Sequence, residues 1–169
     1  AGAPSGGKSR CAKSMVAELN KRGVPAYLLP EVATSEIKRL GDRGVPIESF
    51  SSPSARMALQ VRFFEKQVLL EDQIMAKAAA EHPGEKVVVV CDSGLPSGKA
   101  YVEPDMWTRL EKMVGVTTAR MLDRYHGAVV LETVASYDKS LYEFGAGSNN
   151  EARYHNPDQA VREVQPALV

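Results

Sequence analysis

The chain has 169 residues, and its 21 basic and 21 acidic side chains give a formal net charge of zero. Hydrophobic residues make up 44% and charged residues 25%, proportions that exclude a disordered or collagen-like chain and indicate a folded globular protein. This length predicts a single domain over residues 1–169. Because nucleic-acid-binding domains carry an excess of basic residues, the balanced charge argues against that class of partner.

The apolar runs and the cysteines of the sequence bear on membrane insertion and on the redox environment of the protein. The longest apolar run, 87–91, is far shorter than the roughly 20 residues that cross a membrane, so we expect no transmembrane segment. Cys11 and Cys91 form neither a C-x-x-C pair nor a disulfide framework. We therefore expect two reduced thiols in a cytoplasmic protein.

The first third of the chain alternates helical and β-prone patterns. Apolar residues on one face predict a helix over 8–22, and Gly23 stands in a position that commonly ends a helix. A short β-prone run follows at 24–29, and residues 31–40 show a second helical pattern. The Gly, Pro and Ser residues of 41–55 predict a long loop or lid.

The strongest helical pattern of the chain covers 56–81, where apolar residues recur at three- and four-residue steps. The residues of this predicted apolar face are Met57, Val61, Phe64, Val68, Met75 and Ala79. A continuous apolar strand follows within 86–92. A strand without polar alternation needs cover on both faces, which is typical of a central strand in a parallel sheet.

Three helices and a third strand are predicted in the second half of the chain. The helices cover 104–114, 118–125 and 157–164, and the strand, which is apolar and expected to be buried, covers 128–133. Strands that alternate with helices predict a three-layer α/β/α fold built around a parallel sheet.

Residues 2–9 match the phosphate-binding pattern G-x-x-x-x-G-K-[ST], and a predicted helix follows directly. Glycine-rich backbone can form an anion-binding nest, and a helix N-terminus carries partial positive charge. Lys8 would contact the β- and γ-phosphates, and the Ser9 hydroxyl suits Mg²⁺. The pattern therefore predicts an ATP or GTP site with Mg²⁺. The residues assigned to nucleotide binding here are Gly2, Ala3, Pro4, Ser5, Gly6, Gly7, Lys8, Ser9 and Arg10.

Three charged residues elsewhere are candidates for the same site. Asp92 follows the apolar strand, where a P-loop protein needs a carboxylate near Mg²⁺, so we assign it a catalytic and metal-binding role. Glu31 ends the preceding β-prone run and could face the same crevice, or it could be an ordinary acid at a helix start. Arg153 lies in a polar loop, and P-loop kinases use lid arginines to neutralise the transferring phosphoryl group. With Lys8, Asp92 and Arg153 form the predicted catalytic set.

Other polar and aromatic residues have plainer explanations. The three histidines of the chain are far apart and in different contexts, which argues against a metal site. Trp107 lies at helical spacing, which favours a core position over a base-stacking platform. Arg120 and Arg124 fall four residues apart on one helix, as is typical of a solvated face.

Together these segments resemble one family of P-loop proteins. The segments that carry the resemblance read "GAPSGGKS", "VPAYLLPEVAT", "VVVVCDSGLPSGKAYVEPDMW", "LDRYHGAVVLETVA" and "SNNEARYHNPDQA". The family consists of AAA-domain ATP/GTP-binding proteins related to the fly TRPL translocation defect protein. It is similar in turn to the kinase domain of bacterial nicotinamide riboside kinase.

The resemblance implies a kinase-like P-loop fold that binds ATP or GTP with Mg²⁺. By position it implies phosphate binding by residues 2–9, a site-lining role for Glu31, a metal-linked acid at Asp92 and a lid role for Arg153. It also implies phosphoinositide binding and a role in membrane-protein trafficking, as described for the fly protein. The sequence itself has no polybasic cluster, apart from a modest patch near Lys38.

Two residues depart from the family pattern, which has Arg where this chain has Ser93 and an acid where it has Ser97. In the family, this arginine and this acid either form a salt bridge with each other or position an acceptor substrate. The resemblance also implies a strand before residue 2 and a further strand after residue 169. We therefore expect a domain whose first strand is missing from the given chain and which is incomplete at both ends.

Three hypotheses about function remain open from the sequence. The first is a Mg²⁺-dependent nucleotide-binding protein, a slow NTPase with a regulatory or trafficking role, because the phosphate loop is intact while the acceptor side is altered. The second is a small-molecule kinase that transfers the γ-phosphoryl group of ATP to a nucleoside-like hydroxyl, with Asp92 orienting the acceptor. The third is an interaction module whose P-loop is vestigial.

Overall fold

The computed structural model describes residues 6–142, 156–164 and 166. Its α-helices are α1 (Lys8–Lys21), α2 (Val32–Gly41), α3 (Pro53–Glu81), α4 (Pro104–Val114), α5 (Thr118–Leu122) and α6 (Pro157–Gln159). Its strands are β1 (Ala26–Leu29) and β2 (Val88–Cys91). Short 3-10 segments lie at Ile47–Phe50, Leu95–Tyr101, Val134–Ser136 and Lys139–Leu141, and a π-helical turn, Ala160–Val164, follows α6. The fold is therefore mixed α/β, with helices dominant and a small sheet.

β1 and β2 pair in parallel, with Ala26 opposite Val88 and Leu29 opposite Cys91. The backbone N–H of Asp92 continues the ladder by donating to the Leu29 carbonyl at 3.0 Å. The parallel arrangement expected from the sequence is confirmed. Because both strands end at the same edge of the sheet, the residues that follow them lie at that edge.

The sheet is smaller than the sequence predicts. Among the described residues it has two strands, and 128–133 is not a third one. Val129 and Val130 are exposed, so the prediction of a buried strand there is wrong. The four residues of β2 are half-buried, where full burial was expected. The three-layer arrangement stays a prediction.

Capping explains where several helices begin and end. Ser52 accepts a hydrogen bond from the Ala55 N–H at 3.2 Å, and Pro53 occupies the first position of α3, where its missing N–H costs nothing. Helix α3 thus starts inside the segment 41–55 predicted as a loop. Gly115 ends α4 with φ of 70°, a conformation that glycine adopts without a steric penalty.

Helix α3 packs against β1, α2 and α4. Its contact with α4 contains the largest apolar cluster described, with Leu95, Trp107, Leu110 and Met121 buried at the centre. The α3 side chains on this cluster are Met57, Val61, Phe64 and Val68, as the periodicity predicts.

Two positions of the predicted α3 face are wrong. Met75 and Ala79 are exposed, while Ala78 is buried. The buried residues at this end of α3, Glu71 and Ala78, lie on the side of the helix next to the predicted face, whereas Met75 projects in the same direction as Met57.

The core role predicted for Trp107 is confirmed. Its side chain is 4% exposed, and its indole N–H donates to Thr118 Oγ1 at 2.7 Å. A buried indole needs such a partner, because an unpaired N–H away from water is destabilising.

In the part of the chain that the structure describes, none of the helices combines the length and the apolar character that a membrane crossing requires.

Candidate functional site

The candidate site lies where α1 begins, at the carboxyl edge of the sheet. Gly7 precedes α1 with φ of 71°, a left-handed conformation that suits glycine, and its carbonyl accepts the Cys11 N–H at 2.9 Å. Lys8 and Ser9 therefore form the first turn of a 14-residue helix, as the motif predicts. The backbone N–H groups of a first turn have no partners within the helix and can bind an anion.

Ser9 and Asp92 are joined across the sheet. The Ser9 hydroxyl donates to Asp92 Oδ2 at 2.5 Å, although the two residues are 83 positions apart in sequence. Asp92 is 6% exposed, and it follows β2 directly. The hydroxyl of the phosphate-loop motif and the strand-end carboxylate are thus brought together, as their assigned roles require.

The second carboxylate oxygen of Asp92 fits a further ligand. Oδ1 is buried and accepts no hydrogen bond from any residue that the structure describes. An unsatisfied buried carboxylate oxygen is costly, and hard oxygen donors such as a carboxylate and a hydroxyl are the ligands that Mg²⁺ prefers. Ser9 and Asp92 therefore fit the metal that the motif implies.

Glu31 lies at the same edge of the sheet, two residues after β1. It occupies the residue before α2, and its Oε2 accepts the hydroxyl of Thr34 at 2.7 Å. Its side chain does not cap the helix backbone. The structure thus gives Glu31 a local partner in the first turn of α2, and its role toward a nucleotide stays a prediction.

The other predicted site residues divide into two groups. Gly6, Gly7, Lys8 and Arg10 are described at the start of α1, with Arg10 exposed and Lys8 half-buried. The remaining ones lie outside the described residues, and they are Gly2, Ala3, Pro4, Ser5 and Arg153.

The two positions that depart from the resembled family lie in the turn after Asp92. The Ser93 carbonyl accepts the side-chain amide of Gln67 at 3.0 Å. Ser97 is buried, and its N–H donates to the Gly94 carbonyl at 3.0 Å. Because Ser97 is 9% exposed, an acid at this position would need a buried partner.

Beside this turn lies a buried polar cluster that the sequence did not predict. Gln67 and Glu71 of α3 are 6% and 4% exposed. Gln67 donates to the Ser93 carbonyl, and Glu71 accepts from Gln67 and from the Tyr125 hydroxyl. Glu71 falls where the apolar pattern of α3 calls for a hydrophobic residue between Val68 and Met75. A charged residue within an apolar stripe is the one sequence signal that could have revealed the cluster.

Arg124 completes the cluster and corrects the prediction of a solvated arginine face. Its Nε donates to Glu71 Oε2 at 2.9 Å and its Nη2 to Asp72 Oδ1 at 2.6 Å. Arg120 instead pairs with Asp123, with both side chains exposed. Arg124 thus neutralises a buried carboxylate, while Arg120 fits the solvated face.

Burial decides the protonation of two groups near the cluster. Burial, and then the hydrogen bond to Glu71, raise the pKa of Tyr125 well above its ordinary value of 10.0, so its hydroxyl stays protonated and donates. Burial and the nearby Glu71 carboxylate raise the pKa of the Cys91 thiol to about 11. Since the thiolate is the nucleophilic form, this raised pKa disfavours nucleophilic chemistry at Cys91 at neutral pH.

A glycine-capped helix whose first-turn hydroxyl meets a strand-end carboxylate defines a P-loop type of phosphate-binding site. Comparison with protein families agrees with this class. The family model described as "AAA domain" matches residues 1–165, so the chain belongs to the AAA domain family. Membership of this family indicates a P-loop nucleotide-binding domain. Searches of curated proteins and of solved structures returned no match.

Proposed function

We propose that the chain is a Mg²⁺-dependent ATP- or GTP-binding protein that hydrolyses nucleotide slowly and acts in regulation. The observation that carries the proposal is the 2.5 Å hydrogen bond between Ser9 and Asp92, which joins the phosphate-loop motif to the strand-end acid. The orphaned Oδ1 of Asp92 supports it, because this oxygen lacks a ligand among the described residues.

Each residue of the site would have a separate task. The backbone of residues 2–9 would hold the phosphate chain, with the N-terminus of α1 directed at its charge. Lys8 would neutralise charge on the β- and γ-phosphates, and Arg153 would do so from the lid. Glu31 would line the crevice beside Asp92.

Bound Mg²⁺ would supply positive charge that offsets the negative charge of the phosphates. Ser9 and Asp92 are the residues that would hold it. The Ser9 hydroxyl could offer a lone pair to the metal while its proton stays hydrogen-bonded to Asp92 Oδ2. This hydrogen bond fixes the positions of both oxygens.

A thermal-shift experiment with ATP or GTP and Mg²⁺ tests the proposal. At 100 times the dissociation constant, a nucleotide stabilises the folded protein by about 2.7 kcal/mol, which raises the Tm of a chain of this size by roughly 5–10 °C. We expect Lys8→Ala to abolish this shift. Lys13→Ala is the matched control, because Lys13 is an exposed lysine of the same helix outside the motif.

Each outcome of this experiment has a stated meaning. A shift that persists in Lys8→Ala would remove Lys8 from the site. No shift in the wild-type protein would contradict nucleotide binding and favour an interaction module with a vestigial P-loop. Formation of ADP that depends on an added nucleoside would replace slow hydrolysis by phosphoryl transfer, with Asp92 orienting the acceptor hydroxyl.

The proposal does not extend to phosphoinositides. The basic patch that could attract such lipids is largely paired with acids, since Lys38 contacts Asp42 and Arg39 contacts Glu36. Paired charges contribute little to the attraction of an anionic membrane surface. Lipid binding therefore rests on the sequence resemblance alone.

A further inference from the structure

The turn after Asp92 is anchored by two side chains from elsewhere in the chain. The side-chain amide of Gln67 donates to the Ser93 carbonyl at 3.0 Å. The Leu95 N–H donates to the Tyr125 hydroxyl oxygen at 2.8 Å. The segment Ser93–Leu95 is thus held at both ends, by α3 on one side and by the residues after α5 on the other.

Both anchors converge on one carboxylate oxygen. Glu71 Oε1 accepts from Gln67 Nε2 at 2.8 Å and from the Tyr125 hydroxyl at 2.5 Å. Its Oε2 accepts from Arg124 at 2.9 Å, so the buried charge is neutralised. The orientation of both anchoring groups is therefore fixed by the same side chain.

Packing leaves this turn little freedom. A Cβ on Gly94 would lie 3.0 Å from the Tyr125 ring, a tighter contact than most side chains make, so the ring would have to shift. On the other side of Asp92, its own N–H is bound to the Leu29 carbonyl at 3.0 Å. The backbone of Asp92 is consequently restrained before and after the residue.

We propose that Gln67, Glu71 and Tyr125 act as a positioning clamp, which sets the backbone of Ser93–Leu95 so that the Asp92 carboxylate faces Ser9 and the metal. The proposal rests on the proposed function, because it assigns these residues a task at the same site. In this proposal none of the three contacts the nucleotide. They act through Asp92, in the way that outer-shell partners orient metal ligands.

The chemistry of the clamp favours positioning over stabilisation alone. Replacing buried ion pairs by apolar residues is often neutral or stabilising, so a buried Glu71 is weak evidence for a stabilising role. Hydrogen bonds, unlike apolar contacts, fix direction, and here they fix the two backbone groups that bracket Gly94.

The test compares the Mg²⁺ requirement of nucleotide binding in Tyr125→Phe and in the wild-type protein. The variant keeps the ring against Gly94 and removes only the hydroxyl that joins Leu95 to Glu71. We measure the Mg²⁺ concentration that gives half of the nucleotide-induced thermal shift. We expect Tyr125→Phe to raise this concentration by about 10-fold, the lower end of the range for outer-shell substitutions.

The control is Asn20→Ala, which removes a side-chain hydrogen-bond pair at the opposite end of β1. Asn20 binds the N–H and the carbonyl of Ala26 at 2.9 and 3.1 Å, about 10 Å along the strand from Leu29. We expect a lower Tm in this variant with an unchanged Mg²⁺ midpoint. If the clamp were only structural, Tyr125→Phe would also lower the Tm without changing the Mg²⁺ midpoint. That result would overturn the proposal.

Gln67→Met provides a second variant, since it removes the amide anchor with little change in volume. It should raise the Mg²⁺ midpoint in the same direction, and it decides the outcome if Tyr125→Phe does not fold. Failure of both variants to fold would assign the cluster a structural role only. A wild-type protein without any nucleotide shift would refute the proposed function. A normal Mg²⁺ midpoint in Tyr125→Phe, or in Gln67→Met if Tyr125→Phe does not fold, would refute the clamp alone.

Discussion

At the scale of single residues, hydrogen bonds to charged groups decide how the fold responds to acid. The Glu111 carboxylate accepts the Thr118 hydroxyl at 2.7 Å and also the Thr118 N–H. The same hydroxyl oxygen accepts the indole N–H of Trp107, so a surface carboxylate is linked to a buried ring. The bonds from Thr118, first from its side chain and then from its backbone, hold the pKa of Glu111 below its ordinary value of 4.5.

A lowered pKa in the folded state gives a definite pH dependence. The ionised form of Glu111 stabilises the fold above pH 4.5, and this contribution is lost as the pH falls through the lower folded pKa. We expect Glu111→Gln to reduce the free energy of unfolding at pH 7 by about 1 kcal/mol or less, because Gln keeps the acceptor but not the charge and the site is partly exposed. The difference from wild type should shrink as the pH falls below 4.5 and vanish only below the lowered folded pKa.

Urea unfolding at pH 7 and at pH 3.5, followed by the fluorescence of Trp107, measures this difference. Glu103→Gln serves as a control, because Glu103 is an exposed carboxylate that makes no side-chain cap to α4. A gap between Glu111→Gln and wild type that stays constant down to pH 3.5 would contradict the assigned role.

At the scale of elements, α3 organises the described part of the chain, and its start depends on one cap. Ser52 accepts the Ala55 N–H and sits immediately before Pro53. We expect Ser52→Ala to lower the free energy of unfolding by about 1 kcal/mol, the usual cost of losing a serine N-cap. Ser52→Asp should retain the stability, since its carboxylate can accept the same bond beside a helix N-terminus.

Equilibrium denaturation of both variants, together with Ser49→Ala, checks the cap. Ser49 is an exposed serine of the preceding 3-10 segment and should be neutral when replaced. If Ser52→Ala were as stable as wild type, or Ser52→Asp as weak as Ser52→Ala, the cap would not be what fixes the start of α3.

The elements also show which parts of the fold the sequence could predict. Helices α1, α3 and α4 were predictable because apolar periodicity, caps and terminal glycines are local signals. The segment 128–133 was not, because an apolar run becomes a strand only where a partner strand is available, and the run itself carries no information on that. Its valines are exposed in the structure.

The candidate site likewise contains residues that the sequence could predict and residues that it could not. Lys8, Ser9 and Asp92 were predictable because a motif and a strand end each specify their chemistry at short range. The partners of Glu71 were not, because Tyr125 lies 54 residues away and no local pattern joins the two. A charged residue in an apolar stripe signals an unknown partner without identifying it.

At the scale of the whole molecule, α3 extends over 29 residues, about 44 Å, and connects two regions. On one side Arg62 donates to Glu36 of α2 at 2.8 Å, and the Glu36 carboxylate is 7% exposed. On the other side α3 packs against α4, where Trp107 is the single tryptophan of the chain. If the chain forms a single domain, as the sequence predicts, weakening the pairing of Glu36 should also shift the unfolding transition that Trp107 reports.

Arg62→Met tests this coupling. We expect it to lower the free energy of unfolding by about 1–2 kcal/mol, less than the roughly 3–5 kcal/mol of a fully broken buried pair, because Arg39 still neutralises Glu36. Far-UV circular dichroism, which reports all helices, and Trp107 fluorescence should shift to the same lower denaturant midpoint. Arg109→Met, which breaks only the exposed pair with Asp105, should leave both midpoints in place. A circular dichroism transition that moves while the fluorescence transition stays would show that α2 unfolds separately from the α4 region, and the chain would then be more than one cooperative unit.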